Sequence, residues 1–389
     1  MKKNLVKKEI VDRLLNFKKS EKFIPLHSPT FNGNEEKYLV DCVKSNFVSS
    51  VGEYVNRFER ALESFTGIDN AILTVNGTSA LHISLISLGV NRGDEVLLPA
   101  MTFVATANAI SYIGAIPHFI DVNENTLGVD SDKLEEYLYK IVRIENDQAI
   151  NVETGKIIKA IIPMHTFGHS VDMDKLHRVA KKFKLEIIED SAESLGSKYN
   201  GKHTGKLSKL SAISFNGNKI ITTGGGGAIL TDSDELASKI KHFITTAKKP
   251  HKWEYEHDKV GYNYRMPAIN ASLGLAQLEQ LAKFIKQKRE LAKEYRKLFK
   301  NFEDAYIFKE PDYAKSNYWL NALILKDTNL SIRNYILKKT NLSGFMTRPV
   351  WKLISNLTIY KNSPSMNLDS SKSLENRIIN IPSSPWLIK

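Results

Sequence analysis

The chain has 389 residues, of which 42% are hydrophobic and 25% charged, and this composition predicts a soluble globular protein with a large and a small domain. The single cysteine, Cys42, excludes internal disulfides and any cysteine-rich metal site. No apolar segment approaches the length of a membrane span, and the charged stretch after Met1 lacks the apolar core of a signal peptide. We therefore expect a cytoplasmic protein with no membrane insertion.

The formal net charge is +12, from 55 Lys and Arg against 43 Asp and Glu. Such a balance is compatible with nucleic acid, a membrane surface or a small polyanion as partner, and it also favours solubility. The lysines are spread along the chain in pairs such as Lys181-Lys182 and Lys248-Lys249, with no dense basic arm and no nucleic-acid-binding motif. The pattern favours a phosphorylated substrate over nucleic acid.

The chain opens with helices. Apolar residues recur at helical spacing within residues 3–19 and predict an amphipathic helix, so we treat residues 1–23 as an N-terminal helical extension. After an extended entry, the same spacing predicts helices over residues 34–44 and 51–65.

Strands and helices then alternate from Ala71 to Asp190, which predicts a mostly parallel sheet covered on both faces, the α/β class. Residues 24–265 are predicted to form this large domain. Residues 266–389 begin with a long helix and then mix strands and helices, as a small α+β domain does. The polar stretch 144–156 is predicted to be an irregular surface excursion.

A phosphate site is indicated where a short strand leads into a helix at residues 76–79. Free backbone amides at a helix start, together with the hydroxyls of Thr78 and Ser79, bind a phosphate without needing a lysine. Capping of the helix by Ser or Thr is the simpler alternative.

Phe103 and His165 are two further candidate site residues, and the sequence pattern alone allows either a structural or a functional role for each. An aromatic residue at a helix entry, such as Phe103, usually belongs to the core. The pair His165 and His169 has no third ligand nearby, so we predict no metal site. His165 lies at a strand end, where it either contacts a substrate or cofactor or has a purely structural role.

Lys219 and Asp190 carry the strongest chemical prediction. Lys219 lies between a short apolar strand and the run Gly224 to Gly227, which is no P-loop because Lys-Ser/Thr does not follow it. Asp190 lies at a strand end, the usual ligand crevice of an open α/β sheet, where a buried carboxylate needs a cationic partner. Pyridoxal 5'-phosphate (PLP) requires three groups: an amine that forms an imine with it, an acid beside the nitrogen of its pyridine ring, and a site for its phosphate.

Four motifs in this order resemble the DegT/StrS family of sugar aminotransferases, which are fold type I PLP enzymes. The motifs are Asp190-x-x-Glu193, Ser214-Phe215-x-x-x-Lys219, Thr223 to Ala228 with its four glycines, and Gly261-Tyr-Asn263-Tyr-Arg265. The resemblance covers nearly the whole chain from about Ile24. It implies a large PLP-binding domain with a mostly parallel seven-stranded sheet, followed by a small C-terminal α+β domain.

The resemblance also implies roles for individual residues. Lys219 would form an imine with the cofactor and then move a proton, while Asp190 would hold the ring nitrogen and Glu193 would lie near the ring oxygen. The remaining cofactor contacts would come from Gly77, Thr78, Ser214 and a ring stack of Phe103. Asn263 would reach the phosphate of the partner subunit, so the family implies a homodimer with shared active sites. Substrate contacts are assigned to His165, Trp319 and Arg348, the last of which could instead form a structural ion pair.

The reaction implied is transfer of an amino group from glutamate to a nucleotide-linked 4-keto-6-deoxy sugar. Ser316-Asn-Tyr-Trp319 and the lysine loop resemble the branch that makes 4-amino sugars for legionaminic acid and bacillosamine, from UDP- or GDP-linked 2-acetamido sugars. Perosamine and other 4-amino sugars stay open. Many relatives carry Gly-Glu-Gly-Gly where this chain has Gly224 to Gly227, which removes a carboxylate.

Two rivals are weighed against this prediction. A sugar dehydratase of the same fold has histidine in place of the lysine, and Lys219 argues against it. A basic DNA-binding regulator without chemistry would account for the positive charge, but such a protein would have no use for Lys219, Asp190 and Asn263 together.

Overall fold

The computed structural model describes residues 2–17 and 22–388. Its helices are α1 (Lys2–Phe17), α2 (Glu35–Lys44), α3 (Glu53–Thr66), α4 (Gly77–Ser87), α5 (Val104–Tyr112), α6 (Ser131–Ile141), α7 (Met173–Lys182), α8 (Asp234–Ile244), α9 (Ala268–Leu298), α10 (Leu330–Leu342) and α11 (Asp369–Arg377). No helix in these two ranges has the length and apolarity needed to cross a bilayer.

The first eight strands are β1 (Asn70–Thr74), β2 (Glu95–Pro99), β3 (Ile116–Ile120), β4 (Val142–Glu145), β5 (Gln148–Asn151), β6 (Ile157–Ile161), β7 (Glu186–Asp190) and β8 (Lys198–Tyr199). The others are β9 (Lys202–His203), β10 (Leu210–Ser214), β11 (Gly227–Thr231), β12 (Ala305–Ile307), β13 (Ala314–Lys315), β14 (Asn321–Leu325), β15 (Arg348–Pro349) and β16 (Ile378–Ile381).

The large sheet has the order β1-β11-β10-β7-β6-β2-β3 along its main path. Strands β10, β7, β6, β2 and β3 pair in parallel, and β11 runs antiparallel to both of its neighbours. These strands are short and buried almost throughout, as strands covered by helices on both faces are, although β7 carries Glu189 and Asp190 among its buried residues. The mostly parallel seven-stranded path confirms the predicted α/β fold of the fold type I class.

The stretch 144–156 is not the irregular surface excursion that its polar sequence predicted. It contributes to the hairpin β4–β5, and β5 continues the large sheet by pairing antiparallel with β6. A buried Glu95 stabilises this addition, because its carboxylate accepts hydrogen bonds from Asn151 at 2.9 Å and Thr154 at 2.5 Å. The prediction failed because these anchors join residues far apart in sequence.

A second sheet, β12-β14-β16-β15, forms the core of the C-terminal part together with α9 and α10. Helix α1 packs here as well, with Ile10 and Leu14 buried against Tyr295 of α9 and Ile336 of α10. The predicted N-terminal helix is therefore present up to Phe17, and residues 18 and 19 of the predicted range lie outside the described residues. The division into residues 1–23, 24–265 and 266–389 stays a prediction, and Ile24 itself hydrogen-bonds to the backbone of Gly344 and Met346.

The C-terminal part is tied to the large sheet at both ends of α11. Asp121, which follows β3, accepts hydrogen bonds from the amides of Ser370 at 3.1 Å and Ser371 at 2.8 Å, so it caps the start of the helix. At the other end, Arg377 donates to both carboxylate oxygens of Glu124 at 3.0 Å. These contacts hold the second sheet beside the carboxyl ends of the parallel strands, where the candidate site lies.

Candidate active site

A cavity of about 360 Å³ lies at the carboxyl ends of the parallel strands. Because parallel strands end at the same edge, the residues after β7 and β10 meet there with the start of α4. The lining residues are Asn76, Gly77, Thr78, Leu81, Phe103, Ala105, Thr106, Met164, Asp190, Ala192, Glu193, Ser214, Asn216, Asn218, Lys219, Gly225, Gly226, Trp319 and Trp351.

Lys219 is presented to the cavity by the tight turn that follows β10, in which its amide donates to the carbonyl of Asn216 at 2.9 Å. Its side chain is only 12% exposed, and Nζ lies 3.2 Å from Oε1 of Glu193. The same amine lies 4.1 Å from the ring centroid of Trp319, whose indole N–H donates to the carbonyl of Asn218 at 2.8 Å. A carboxylate and an aromatic face thus fix the position of the amine.

Asp190 ends β7 and is 3% exposed. Its carboxylate accepts hydrogen bonds from the Thr106 hydroxyl at 2.8 Å and the Ala192 amide at 3.2 Å. Burial raises the pKa of Asp190, and the Thr106 hydrogen bond opposes that shift only in part. A buried carboxylate in this state is suited to a cationic ligand group.

Glu193 lies between the lysine and the backbone of a strained loop. Burial raises its pKa to about 7, although the charge of Lys219 and a 2.8 Å hydrogen bond from the Phe167 amide oppose the shift. Phe167 is buried with φ of 56°, a left-handed conformation that costs energy for a non-glycine residue. That strained backbone points its amide at Glu193 and holds the carboxylate in place.

The start of α4 forms the anion-binding end of the cavity. Asn76 caps the helix by accepting the Ser79 amide at 2.7 Å, while Gly77 and Thr78 line the cavity. A Cβ on Gly227 would come within 2.7 Å of the Gly77 nitrogen, so glycine is required where β11 passes this helix start. The helix dipole favours an anion here.

Aromatic side chains form the other walls. Phe103 is half exposed to the cavity, and its ring centroid lies 6.4 Å from that of Trp351. Gly225 is the second residue of the four-glycine run, the position of the glutamate in the Gly-Glu-Gly-Gly motif. It also lines the cavity, and a Cβ built there meets nothing within 4 Å. The site therefore has space, rather than a replacement side chain, where that carboxylate would be.

Eight of the eleven predicted site residues line this cavity: Gly77, Thr78, Phe103, Asp190, Glu193, Ser214, Lys219 and Trp319. Arg348 lies outside it, exposed and hydrogen-bonded through Nη1 to Oδ1 of Asn341 and the carbonyl of Thr347, both at 3.1 Å. Asn263 is also exposed and lies outside the cavity of its own chain.

The structure corrects the predicted substrate contact of His165. The ring is fully buried outside the cavity lining, and both of its nitrogens are used. Nδ1 accepts the Val171 amide at 3.2 Å, so Nε2 carries the proton and donates to Glu189 at 2.8 Å. The strand end at which His165 lies is close to the cavity, as predicted, but the imidazole ring is directed away from the cavity.

Thr106, Met164 and Asn218 line the cavity without having been predicted from the sequence. Thr106 was within reach of prediction, because it lies three residues after Phe103. Trp351 belongs to the run Arg348-Pro-Val-Trp351, which stands out in the C-terminal sequence as function-like, but only the tertiary fold brings it beside Phe103.

Comparison with known proteins identifies the family. A sequence profile of the DegT/DnrJ/EryC1/StrS aminotransferase family matches residues 29–389. The chain belongs to this family. It is 36% identical to GDP-perosamine synthase of Escherichia coli O157:H7 over 94% of each chain.

Two other DegT-family proteins add to the comparison. The chain is 36% identical to UDP-4-amino-4,6-dideoxy-N-acetyl-beta-L-altrosamine transaminase of Campylobacter jejuni, over 70% of this chain and 69% of that protein. The PLP form of the putative sugar aminotransferase Spr1654 from Streptococcus pneumoniae superposes with a TM-score of 0.82 at 26% identity, covering 93% and 92% of the two chains. Like its relatives in the DegT family, the protein is a PLP-dependent sugar aminotransferase.

The residues present fit the cofactor of the DegT family. PLP needs an anion site, a cationic-ring partner and a lysine amine, and the cavity offers the α4 start, the buried Asp190 and Lys219. The glycine at position 227 keeps the amide end of α4 open, as a phosphate cradle requires.

Proposed function

We propose that the protein transfers an amino group from glutamate to C4 of a nucleoside-diphosphate-linked 4-keto-6-deoxy sugar. The observation that carries the proposal is the placement of Lys219, Asp190 and the start of α4 around one cavity. The relatives support the position of the amino group, because GDP-perosamine and the altrosamine product named for Campylobacter are both 4-amino sugars.

In this proposal the amides of Gly77 and Thr78 and the hydroxyl of Ser214 would hold the cofactor phosphate. Asp190 would accept the N–H of the pyridine ring, and Phe103 would pack on the ring face. When bound, PLP supplies an electron sink for the carbon that loses its proton. Burial keeps the pKa of Asp190 raised although the charge of Lys219 opposes that shift, and a protonated ring nitrogen would give the buried carboxylate a cation in direct contact.

Lys219 is proposed as the proton carrier of both half-reactions. Its amine takes a proton from the donor carbon and returns one to the acceptor side, which requires Nζ to be neutral at that moment. Glu193, at 3.2 Å, accepts a hydrogen bond from the amine, and the family resemblance would place it near the ring oxygen of the cofactor. Trp319 limits the movement of the amine and excludes water from its buried side.

We further propose a homodimer in which Asn263 of each subunit completes the partner's phosphate site. Asn263 is exposed and does not line the cavity of its own chain, and the segment before it exposes Trp253, Tyr255 and Val260. Exposed apolar side chains in such a segment are suited to burial against a second copy.

For the acceptor we place a GDP-linked 4-keto-6-deoxy sugar first, because the similarity to the GDP-perosamine synthase extends over 94% of both chains. A UDP-linked 2-acetamido-4-keto-6-deoxy sugar is the second candidate, favoured by the altrosamine transaminase. The resemblance to the legionaminic acid and bacillosamine branch stays a prediction within that second candidate.

The test is a product assay with the two acceptors side by side. Purified protein with PLP and ¹⁵N-amino-labelled glutamate is given either acceptor, and the products are read by mass spectrometry and NMR. We expect ¹⁵N at C4 of one sugar nucleotide and 2-oxoglutarate in equal amount. Labelled nitrogen on neither sugar, in a preparation that converts glutamate to 2-oxoglutarate, would overturn the assignment of the acceptor.

A further inference from the structure

A second cavity of about 450 Å³ adjoins the first and shares Asn218, Trp319 and Trp351 with it. It lies between the extended segment that contains Leu26 and His27 and the loop that follows β15. The remaining lining residues are Leu26, Leu320, Met346, Arg348, Pro349, Val350, Lys352 and Asn380.

The lining carries positive charge without negative charge. Arg348 and Lys352 are both exposed at this cavity, and its lining contains no Asp or Glu. Neither side chain forms a salt bridge with any carboxylate of residues 2–17 and 22–388. Arg348 uses Nη1 on Asn341 and the Thr347 carbonyl, which leaves other guanidinium N–H groups for a ligand.

A third basic group lies directly behind the wall. Lys288 of α9 is fully buried, and its amine donates to the carbonyls of Trp319, at 3.1 Å, and Ser383. No carboxylate in the described part of the chain pairs with it, whereas its neighbour Arg289 forms a 2.7 Å salt bridge with Glu310. Burial lowers the pKa of the Lys288 amine well below its ordinary value, so this group serves as a hydrogen-bond donor that holds the wall and does not add a charge to the cavity.

Two polar side chains of the lining also lack partners. Both ring nitrogens of His27 are buried without a hydrogen bond, and so is Oδ1 of Asn380. Asn380 is 3% exposed, yet its side chain reaches the cavity. Buried polar atoms without a protein partner are uncommon and are explained by a ligand or water that they would bind.

We propose that this second cavity binds the anionic group of a substrate whose reacting carbon lies beside Lys219. The inference rests on the proposed function, which supplies two anions of the required kind: the diphosphate of the sugar nucleotide and a carboxylate of the amino donor. Trp319 and Trp351 border both cavities, so the second cavity lies directly beside the one that Lys219 lines. Arg348 and Lys352 bind the anion through charge-assisted hydrogen bonds, and His27 adds a ring N–H donor to the lining.

The test measures binding without turnover. Isothermal titration of the PLP-loaded enzyme uses glutarate, a dicarboxylate without an amine, and GDP and UDP, which carry a diphosphate without the sugar. The variants are Arg348→Gln and Lys352→Gln, and Lys361→Gln is the matched control, because Lys361 is exposed in the same part of the chain and lies outside both cavities. Unchanged circular dichroism and PLP absorbance show that each variant is folded.

Loss of a charge-assisted hydrogen bond weakens binding by roughly 10- to 100-fold. We expect that loss in both cavity variants and not in Lys361→Gln. Loss for the nucleotides identifies the diphosphate as the ligand group, and loss for glutarate identifies the donor carboxylate. Unchanged affinity for all three ligands in both variants would overturn the inference. That result leaves the proposed function intact if ¹⁵N still reaches C4, so the two can fail separately.

Discussion

Glu189 and Asp190 are adjacent carboxylates on β7, and the strand turns them to opposite faces of the sheet. Glu189 is fully buried and accepts four hydrogen bonds, from His165, Gly205, Leu207 and Ser208, at 2.7 to 2.9 Å. Asp190 faces the cavity with two donors, Thr106 and Ala192.

This difference in partners reverses the pKa shifts. Burial raises the pKa of both groups, but the His165 and backbone hydrogen bonds bring that of Glu189 below its ordinary value, whereas that of Asp190 stays raised. Glu189, with four donors, belongs to the framework of the fold. Asp190, with only two donors, can accept a further hydrogen bond from a ligand. Two residues of similar chemistry therefore have separate roles because of which face of β7 they occupy.

The largest effect is expected for Lys219→Ala on the cavity side. Removing the amine eliminates the proton carrier, so turnover should fall by more than the roughly 10,000-fold that general acid–base catalysis can contribute. The yellow absorbance of lysine-bound PLP should disappear as well. Steady-state assays with an absorption spectrum check both, and a variant with wild-type turnover would refute the assignment.

Asp190→Asn should lower the rate by roughly 100- to 1,000-fold, because it removes electrostatic stabilisation of the pyridine N–H. Since the native carboxylate is buried with a raised pKa, its charge destabilises the folded protein as pH rises through that pKa. The variant should therefore be as stable as the wild type at neutral pH, or more so. A clear loss in urea unfolding would show that Asp190 is a framework residue.

Glu189→Gln should affect stability and not activity, the reverse of Asp190→Asn. We expect a loss of about 3–5 kcal/mol in the free energy of unfolding and little direct effect on the reaction rate. The amide would turn N–H groups toward backbone N–H donors. Because the folded-state pKa is lowered, the Glu189 contribution is complete above the ordinary glutamate pKa and is lost as pH falls through the folded value. Urea unfolding at neutral and acidic pH measures this, and a pH-independent difference between variant and wild type would contradict it.

The smallest effect is expected for Thr106→Val, which removes one of the two donors to Asp190 at nearly constant volume. We expect a rate loss of about tenfold, the size of one hydrogen bond to a charged group. The pKa of Asp190 should rise further, so the pH dependence of the bound PLP spectrum should move upward. Thr106→Ser keeps the hydroxyl and serves as the control. Equal behaviour of the two variants would exclude the hydrogen bond as the cause.

Sequence patterns predicted the parts of this protein that depend on local order. The apolar runs of β7 and β10 place Asp190 and Lys219 at the same sheet edge, because parallel strands end together. At the start of α4 the residues alone indicated either a phosphate site or a capped helix, and the family resemblance favoured the phosphate site. Residue type and position along an element located these candidates, and the resemblance supplied their roles.

Side-chain direction and long-range contacts could not be predicted in this way. His165 was expected to face a substrate, and only the positions of Val171 and Glu189 show that its ring does not. The second cavity brings together His27, Trp319 and Arg348, which are distant in sequence and meet through tertiary packing alone.

The most direct test of the central claim is an absorption spectrum of the protein with PLP, recorded for the wild type and Lys219→Ala before and after glutamate and then a 4-keto sugar nucleotide. The account predicts a yellow band in the wild type that vanishes with glutamate and returns with the sugar, and no such band in the variant. A variant band that responds to both substrates as the wild type does would contradict the assignment of the reaction to Lys219.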